Sequence, residues 1–536
     1  MSYHHHNTLV PISRLPDSLL TDIFILVRDI EPPDSSSPPC LHVSHVCRAW
    51  RNAAVHCSLL WTNILFRPPE WTTVMLHRAR TAPLTVQVTI SSRDFANGAF
   101  LDSLRLAFSH IRHIRYLSIS LSTAFSHLDD LLSPLKSNPP DILEELQLSC
   151  LHGRPIHFSP PFKIAPNLRR SELIRCHTDW KLFYSIGNLT SLVLGDIPVS
   201  SRPSIDDILS VLQSMNRLEK LVLIHALPEL PPSVRTLPPP QDIVPVRLEY
   251  LLHFSLWGFV LDCADIMRYF VMPRCRQVYL ETEARWPLRE VALAVSPFSS
   301  IISSIFNESN EQEMHVGSIE QLYDNEIIIK LFPASSSSVG AGYTIHASLT
   351  WRPSHRRDIM DTSPGFGSLL SALPLSQITQ FCATLDSKED EHIDNAEWLR
   401  VVRRLSHVKT VRLSGGYTYG FVNAFHEAHV SLLPPSNGLY TAVLPDLVSL
   451  TIEHAHFSFP LGDNQLFSTL TRSLTLRQQL ELPVTKIDLV CCHITPQQLA
   501  TLNCLTPNFV EPIGEPETWG VGELDDESSD EDDDGD

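Results

Sequence analysis

Apolar residues in this chain recur with two periods, one near the amino terminus and the other through the middle. Near the amino terminus they fall at Leu19, Leu20, Ile23, Phe24, Leu26 and Val27, the spacing of a helical stripe, with Thr21 and Asp22 turned away. Pro16 fits the first turn of a helix, where its missing amide hydrogen has no intrahelical partner, and Asp17 favours the positive helix end. A helix is therefore predicted to start here. The run Glu-Pro-Pro-Asp-Ser-Ser-Ser-Pro-Pro at 31–39 breaks it, because residues before proline are pushed out of helical geometry. Beyond that loop a second helix is predicted, with Val43, Val46, Trp50 and Ala53 on one side and His45, Arg48 and Asn52 on the other. Two short helical elements cannot cover this much apolar surface, and a domain so small is marginal by itself.

From Ile114 onward the period changes to a short string: apolar, two others, apolar, one other, apolar. Clear copies are Leu143-Glu-Glu-Leu146-Gln-Leu148, Leu189-Thr-Ser-Leu192-Val-Leu194 and Leu218-Glu-Lys-Leu221-Val-Leu223, then Val408 to Leu413, Leu447 to Ile452 and Val484 to Leu489. This alternation predicts strands with one buried face. Weaker copies at Leu117, Ser171, Leu251 and Val278 place the central positions 29, 25, 21, 29, 30 and 27 residues apart. Stretches such as Ile205-Asp206-Asp207-Ile208-Leu209-Ser210-Val211-Leu212 have helical spacing and would return the chain to the same edge. The pattern resembles irregular leucine-rich repeats, in which stacked strand-and-helix units bury one another's apolar faces. Only Cys176 and Cys492 match the variety with cysteine three residues after the last apolar position.

The period fails between Val278 and Val411. Ile327 to Phe332 and Tyr343 to Trp351 there predict two strands flanking a Ser/Gly-rich connector, Pro333 to Gly342, either degenerate repeats with insertions or a small subdomain. Leu227 to Pro245 holds seven prolines and is predicted to be a stiff, extended excursion, a rim loop or a ligand for a proline-binding module.

The amino-terminal segment carries a more specific signal. Leu15-Pro16-Asp17-Ser18-Leu19-Leu20 opens it, Ile23-Phe24 follows, then Val46-Cys47-Arg48-Ala49-Trp50-Arg51 and a closing Leu60-Trp61. That ordered set resembles an F-box, and with the repeats behind it, the expanded F-box families of fungi. The resemblance implies docking to a Skp-type adaptor and through it to a cullin, with Leu15, Pro16, Leu19, Leu20, Ile23, Phe24, Val46, Cys47 and Trp50 as the adaptor-binding set. It also implies that the chain is the substrate receptor of an SCF-type cullin-RING ubiquitin ligase, its repeats holding an unknown protein target. The alternative is a non-catalytic repeat scaffold whose F-box-like helices only cap the solenoid. The expected architecture is α/β: a disordered start at 1–10, an all-helical F-box at 11–66, an irregular leucine-rich-repeat-like domain at 67–510 interrupted at about 284–405, and a disordered acidic tail at 511–536.

Composition narrows the function classes. The chain has 536 residues, 43% hydrophobic and 19% charged, as ordinary globular material does. Net charge is −19, but Glu523 to Asp536 carries ten acidic and no basic residues, leaving −9 for the remainder. Without a basic stripe, nucleic-acid binding is not expected. Ser528 and Ser529, set among those acids, are candidate phosphorylation sites. Eleven scattered cysteines, the polar start at Met1 to Asn7 and the lack of an apolar run of about 20 residues suggest a soluble cytoplasmic or nuclear chain that does not enter membranes.

Candidate chemistry is sparse. His426-Glu427-Ala428-His429 has its histidines three apart instead of the four of H-E-x-x-H, and Cys491-Cys492-His493 falls in a predicted strand whose neighbours face opposite ways. No metal or cofactor is expected from either, nor from His4-His5-His6 at the terminus. No nucleophile elbow or phosphate loop appears, and Gly340-Ala341-Gly342 lacks the rest of a dinucleotide fingerprint. Asp206-Asp207 and Glu389-Asp390 read as solvated carboxylates, so catalysis by the chain itself is not expected.

Overall fold

A computed structural model describes residues 11–30, 37–38, 40–122, 140–152, 155–157, 165–177, 180–228, 245–284, 314–323, 326–333, 345–351, 375–385, 395–430, 443–457 and 465–506, with 314–323, 326–333 and 345–351 described as backbone. The expected disordered start, most of the Pro/Ser loop, the proline-rich stretch, the Ser/Gly connector, Gly340 to Gly342, and the tail with Ser528 and Ser529 lie outside the described residues. The chain divides into two compact units: Met1–Glu311 with Gly342–Trp351, and Gln312–Ala341 with Arg352–Asp536. Every change of unit falls inside the stretch where the repeat period fails.

The first unit opens with three helices, α1 (Asp17–Ile30), α2 (Cys40–Ser44) and α3 (Arg48–His56). The second helix of the sequence reading is thus two. Cys47, in extended backbone, caps α3 and its Sγ accepts from the Trp50 amide at 3.4 Å, a cap that leaves Val46 in the turn between the two pieces. A single 3-10 turn, Ser58–Trp61, leads into the first strand.

Ten strands of this unit form its main parallel ladder: β1 (Asn63–Ile64), β2 (Leu84–Ile90), β3 (Ile114–Leu121), β4 (Glu145–Cys150), β5 (Arg170–Ile174), β6 (Ser191–Gly195), β7 (Lys220–Ile224), β8 (His253–Phe259), β9 (Gln277–Ala284) and, from the far side of the interruption, β12 (Ile345–Trp351). Leu117, Leu146, Ser171, Leu192, Leu221, Phe254 and Val278 stand in one cross-strand row, all buried. The sequence put Leu251 in that row. Leu251 is buried ahead of β8, in the place Leu218 holds ahead of β7, and Phe254 takes the strand position.

One backbone device repeats from the β4–β5 step onward: two successive amides donate to a single carbonyl of the preceding unit. Arg169 and Arg170 donate to Glu144 O at 2.8 and 3.0 Å, Thr190 and Ser191 to Arg169 O, Glu219 and Lys220 to Thr190 O, and Leu252 and His253 to Glu219 O. At the other end of β5, β6 and β7 the next residue, Arg175, Asp196 or His225, adopts a left-handed conformation. Polar residues carry these turns, and the apolar rows stack between them. Return segments include α4 (Glu70–Ala79), α5 (Gly98–Ser109), α6 (Ile205–Ser214) and α7 (Val260–Met267). Ser204 starts α6 with a capping box, its hydroxyl accepting from the Asp207 amide at 3.1 Å. The Asp207 carboxylate therefore completes the box, accepting from the Ser204 amide and hydroxyl.

The second unit repeats the plan. In it β10 (Met314–Tyr323) pairs antiparallel with β11 (Glu326–Pro333) and parallel with β13 (Gln380–Leu385), followed by parallel β14 (Thr410–Ser414), β15 (Ser449–Glu453) and β16 (Lys486–Val490). Phe381, Val411, Leu450 and Ile487 form its inner row. The same double donation recurs, from Lys409 and Thr410 to Thr379 O, Val448 and Ser449 to Lys409 O, and Thr485 and Lys486 to Val448 O. Helices α8 (Asn395–Arg404), α9 (Tyr417–Val430), α10 (Gln465–Gln479) and α11 (Pro496–Leu505) complete it. Trp398 lies so close to Gly420 that a Cβ there would stand 2.5 Å from the indole ring. Only glycine fits that approach.

Strand β16 ends at Val490, so Cys491-Cys492-His493 is not in a strand as expected. Cys491 takes the left-handed turn, Cys492 is buried and donates to Ile452 O at 3.3 Å, and His493 stacks on His456 at 4.5 Å. Cys176 repeats the motif in the first unit, within 3.7 Å of Leu148 O. Among the described residues no helix is long and apolar enough to cross a membrane, and no group of three His, Cys, Asp or Glu side chains could hold a metal ion.

Candidate functional site

The helical block is held by contacts that the sequence motif supplies in order. Phe24 of α1 is fully buried and its ring lies 5.0 Å from that of Trp50 on α3. Leu20, one turn earlier, is buried on the same side. Arg51 donates to Ser44 O at 3.0 Å and ties α3 to the end of α2. Arg28, near the end of α1, donates to Leu59 O and to Thr62 Oγ1. Trp61 has no exposed surface, donates to Ala54 O at 2.9 Å and receives the Arg78 guanidinium of α4 over its ring at 4.3 Å. Ile64 then pairs with Val86. The block is thus welded to the first strands of its unit through its exit turn.

Two apolar stripes run along α1, where the sequence suggested one wide stripe. Leu20 and Phe24 point inward. Leu19, Ile23 and Leu26, at helical spacing on the adjoining face, remain 48%, 38% and 62% exposed, and Ile30 continues that line. Val46 in the α2–α3 turn is 60% exposed. Of the nine residues singled out from the motif, Leu19, Ile23, Val46 and Pro16 present surface, Leu15, Cys47 and Trp50 are half-buried, and Leu20 and Phe24 are core. Leu26, Ile30 and Leu59 are exposed apolar side chains that the motif did not mark; the first two follow Leu19 by seven and eleven residues, two and three helical turns on.

His426 and His429 share α9, where His429 is buried, its Nδ1 bonded to Phe425 O at 2.6 Å, and His426 lies 3.3 Å from Ser473 Oγ. Burial, and beyond it the neighbouring Arg477, holds His429 below the usual imidazole range. Arg477 is itself fully buried without a carboxylate, donating to Val443 O at 3.0 Å and Leu447 O at 3.4 Å, and burial lowers it to about 10. These are structural groups.

Residues 12–67 match the F-box-like family model. No curated protein matches the chain. Among solved structures, an internalin from Listeria monocytogenes is 13% identical over 68% of this chain and 80% of its own, with a TM-score of 0.24. The leucine-rich repeat-containing protein LegL7 from Legionella pneumophila is 12% identical over 67% of this chain and 88% of its own, with a TM-score of 0.23. TM-scores of this size carry no argument; the repeat assignment stands on the parallel register and the recurring backbone step. The chain therefore carries an F-box-like domain at residues 12–67 ahead of leucine-rich-repeat-like parallel ladders.

Proposed function

We propose that this chain is a protein-interaction adaptor of the SCF type, which docks a Skp-type adaptor through its amino-terminal helices and presents a protein target on its repeats. The observation that carries this reading is the outer stripe of α1: Leu19 and Ile23 stay exposed although the block has a well-packed core at Leu20, Phe24 and Trp61. Capping alone needs no such stripe, because the exit turn and β1 already join the helices to the ladder. A contiguous exposed apolar face is the mark of a surface that seats another chain.

The mechanism on this reading is proximity. Holding a target beside a charged ubiquitin carrier raises the effective concentration of its lysines, while the bond chemistry belongs to other subunits. The chain would supply binding surface and no catalytic group. Co-expression of the tagged chain with a Skp-type adaptor and a cullin tests this. Both subunits should co-purify with the wild type and be lost with Leu19→Ser/Ile23→Ser; a chain recovered without either subunit would leave the scaffold reading in its place.

A further inference from the structure

The outward-facing positions of the two ladders differ in chemistry. In the second unit they are polar apart from Cys382 and Val490: Arg412 meets Glu453 at 2.8 Å, Lys486 meets Asp488 at 2.5 Å, and Thr410, Ser449 and Thr451 lie among them. The first unit begins in the same way, with Tyr116 and Ser118 donating to Gln147 and Ser120 bonded to Ser149. From β5 to β9 the row at the strand starts stays polar and exposed, with Arg170, Lys220, His253 and Gln277, and the face turns apolar in the two rows beyond it. One row reads Glu172, Val193, Val222, Ser255, Tyr279, and the next Ile174, Gly195, Ile224, Trp257, Glu281. All of these side chains other than Gly195 are half-buried.

Two features make this a single surface. Gly195 lets Ile174 lean across its strand, since a Cβ there would stand 3.2 Å from Ile174 Cγ1, so aliphatic surface continues from Ile174 to Ile224. Trp257 lies against Tyr279 with ring centroids 5.6 Å apart. The carboxylates occupy opposite corners, Glu172 on β5 and Glu281 on β9, where Glu281 also accepts from the Tyr279 hydroxyl at 3.5 Å. Nearby Arg170 is engaged by Glu145 at 3.3 Å. On β3 the Tyr116 phenol is pushed up by burial first, against a hydrogen bond with Ser118 that lowers it, and then by Glu145 and Glu172.

We infer that the outward face of β5–β9 is the seat for the target, and that it takes a protein segment with an apolar stretch between two basic residues. The inference rests on the receptor reading above and specifies its target class. Four strand spacings of about 4.8 Å separate the two corner carboxylates, about 19 Å, which an extended segment spans in about six residues. Val193, Val222, Ile174 and Ile224 would floor the apolar stretch, and Trp257 with Tyr279 would flank it.

Selection of a phage-displayed random twelve-residue library on the full chain tests the assignment. Enriched peptides should pair two Lys or Arg about six residues apart around Leu, Ile or Phe. Their affinity, read by fluorescence anisotropy, should fall about tenfold or more with Trp257→Ala, fall with Val222→Thr, which keeps the β-branched shape, and fall with Glu172→Lys while thermal melting stays unchanged. Acidic or empty selections, affinities unmoved by the three variants, or a self-association of the chain that the variants dissolve would overturn it. Adaptor co-purification on the same preparations separates the two proposals. Basic-apolar peptides selected by a chain that holds no adaptor would sink the ligase reading alone, and adaptor held with no such selection would sink this one alone.

Discussion

Replacing Leu19 and Ile23 by serine separates docking from folding. Full burial of a leucine or isoleucine side chain is worth about 1.5–3 kcal/mol. With 48% and 38% of the two residues still exposed, a partner that covered them would gain about 1.3–2.6 kcal/mol from the pair. Losing that contribution weakens adaptor binding roughly ten- to eighty-fold. The free chain loses little, because the removed atoms face water. Isothermal titration of a Skp-type adaptor into wild type and variant, beside thermal melts of each, reads both quantities. Phe24→Ala is the contrasting substitution: with no exposed surface and the Trp50 ring against it, its loss costs about 3–5 kcal/mol of folding. If the double serine variant bound the adaptor as tightly as wild type, the outer stripe would not be the docking surface.

Three further outcomes follow from the second unit and the thiols. His429 is neutral in the fold and held below its usual value by burial and Arg477, so the unfolded chain takes up its proton first as pH falls. Its contribution to stability is complete above about pH 6.5 and declines below it; denaturant midpoints at pH 7.5 and 5.5 should show that loss, smaller in His429→Asn. Gly420→Ala should destabilise by about 1–3 kcal/mol through collision with Trp398, read by the same denaturation. Burial pushes the Cys176 and Cys275 thiols up to about 12 and Cys492 to about 11, whereas Cys504 is exposed. Alkylation of the native chain followed by mass spectrometry should therefore mark Cys504 and spare the other three.

The ladder was legible because each inner row is written in leucine at fixed spacing, and even Ser171, a polar residue in a leucine slot, lies buried in register with Leu146 and Leu192. Phe254 was missed because Leu248 and Leu251 offered the first two apolar positions of the string three residues early. Strand β10 was missed since Met314-His-Val-Gly-Ser-Ile alternates weakly, and β13 because Phe381-Cys-Ala lacks the leucine signature. The break in the second helix left little trace, since cysteine is an uncommon cap beside serine, threonine, aspartate and asparagine. At the candidate site the motif marked α1 but could not sort its faces. Leu19 and Leu20 are adjacent and chemically alike; only the position of Trp50 against Phe24 decides which points outward.

The central claim is that the outer stripe of α1 touches the adaptor, and a photo-crosslinking residue placed at position 19 measures that contact directly. Irradiation of the full chain with a Skp-type adaptor should yield a covalent adduct from position 19 and none from position 102, which is exposed on α5 in the ladder. An adduct from position 102, or none from position 19 at a concentration where the two proteins are mixed in excess, would contradict the account.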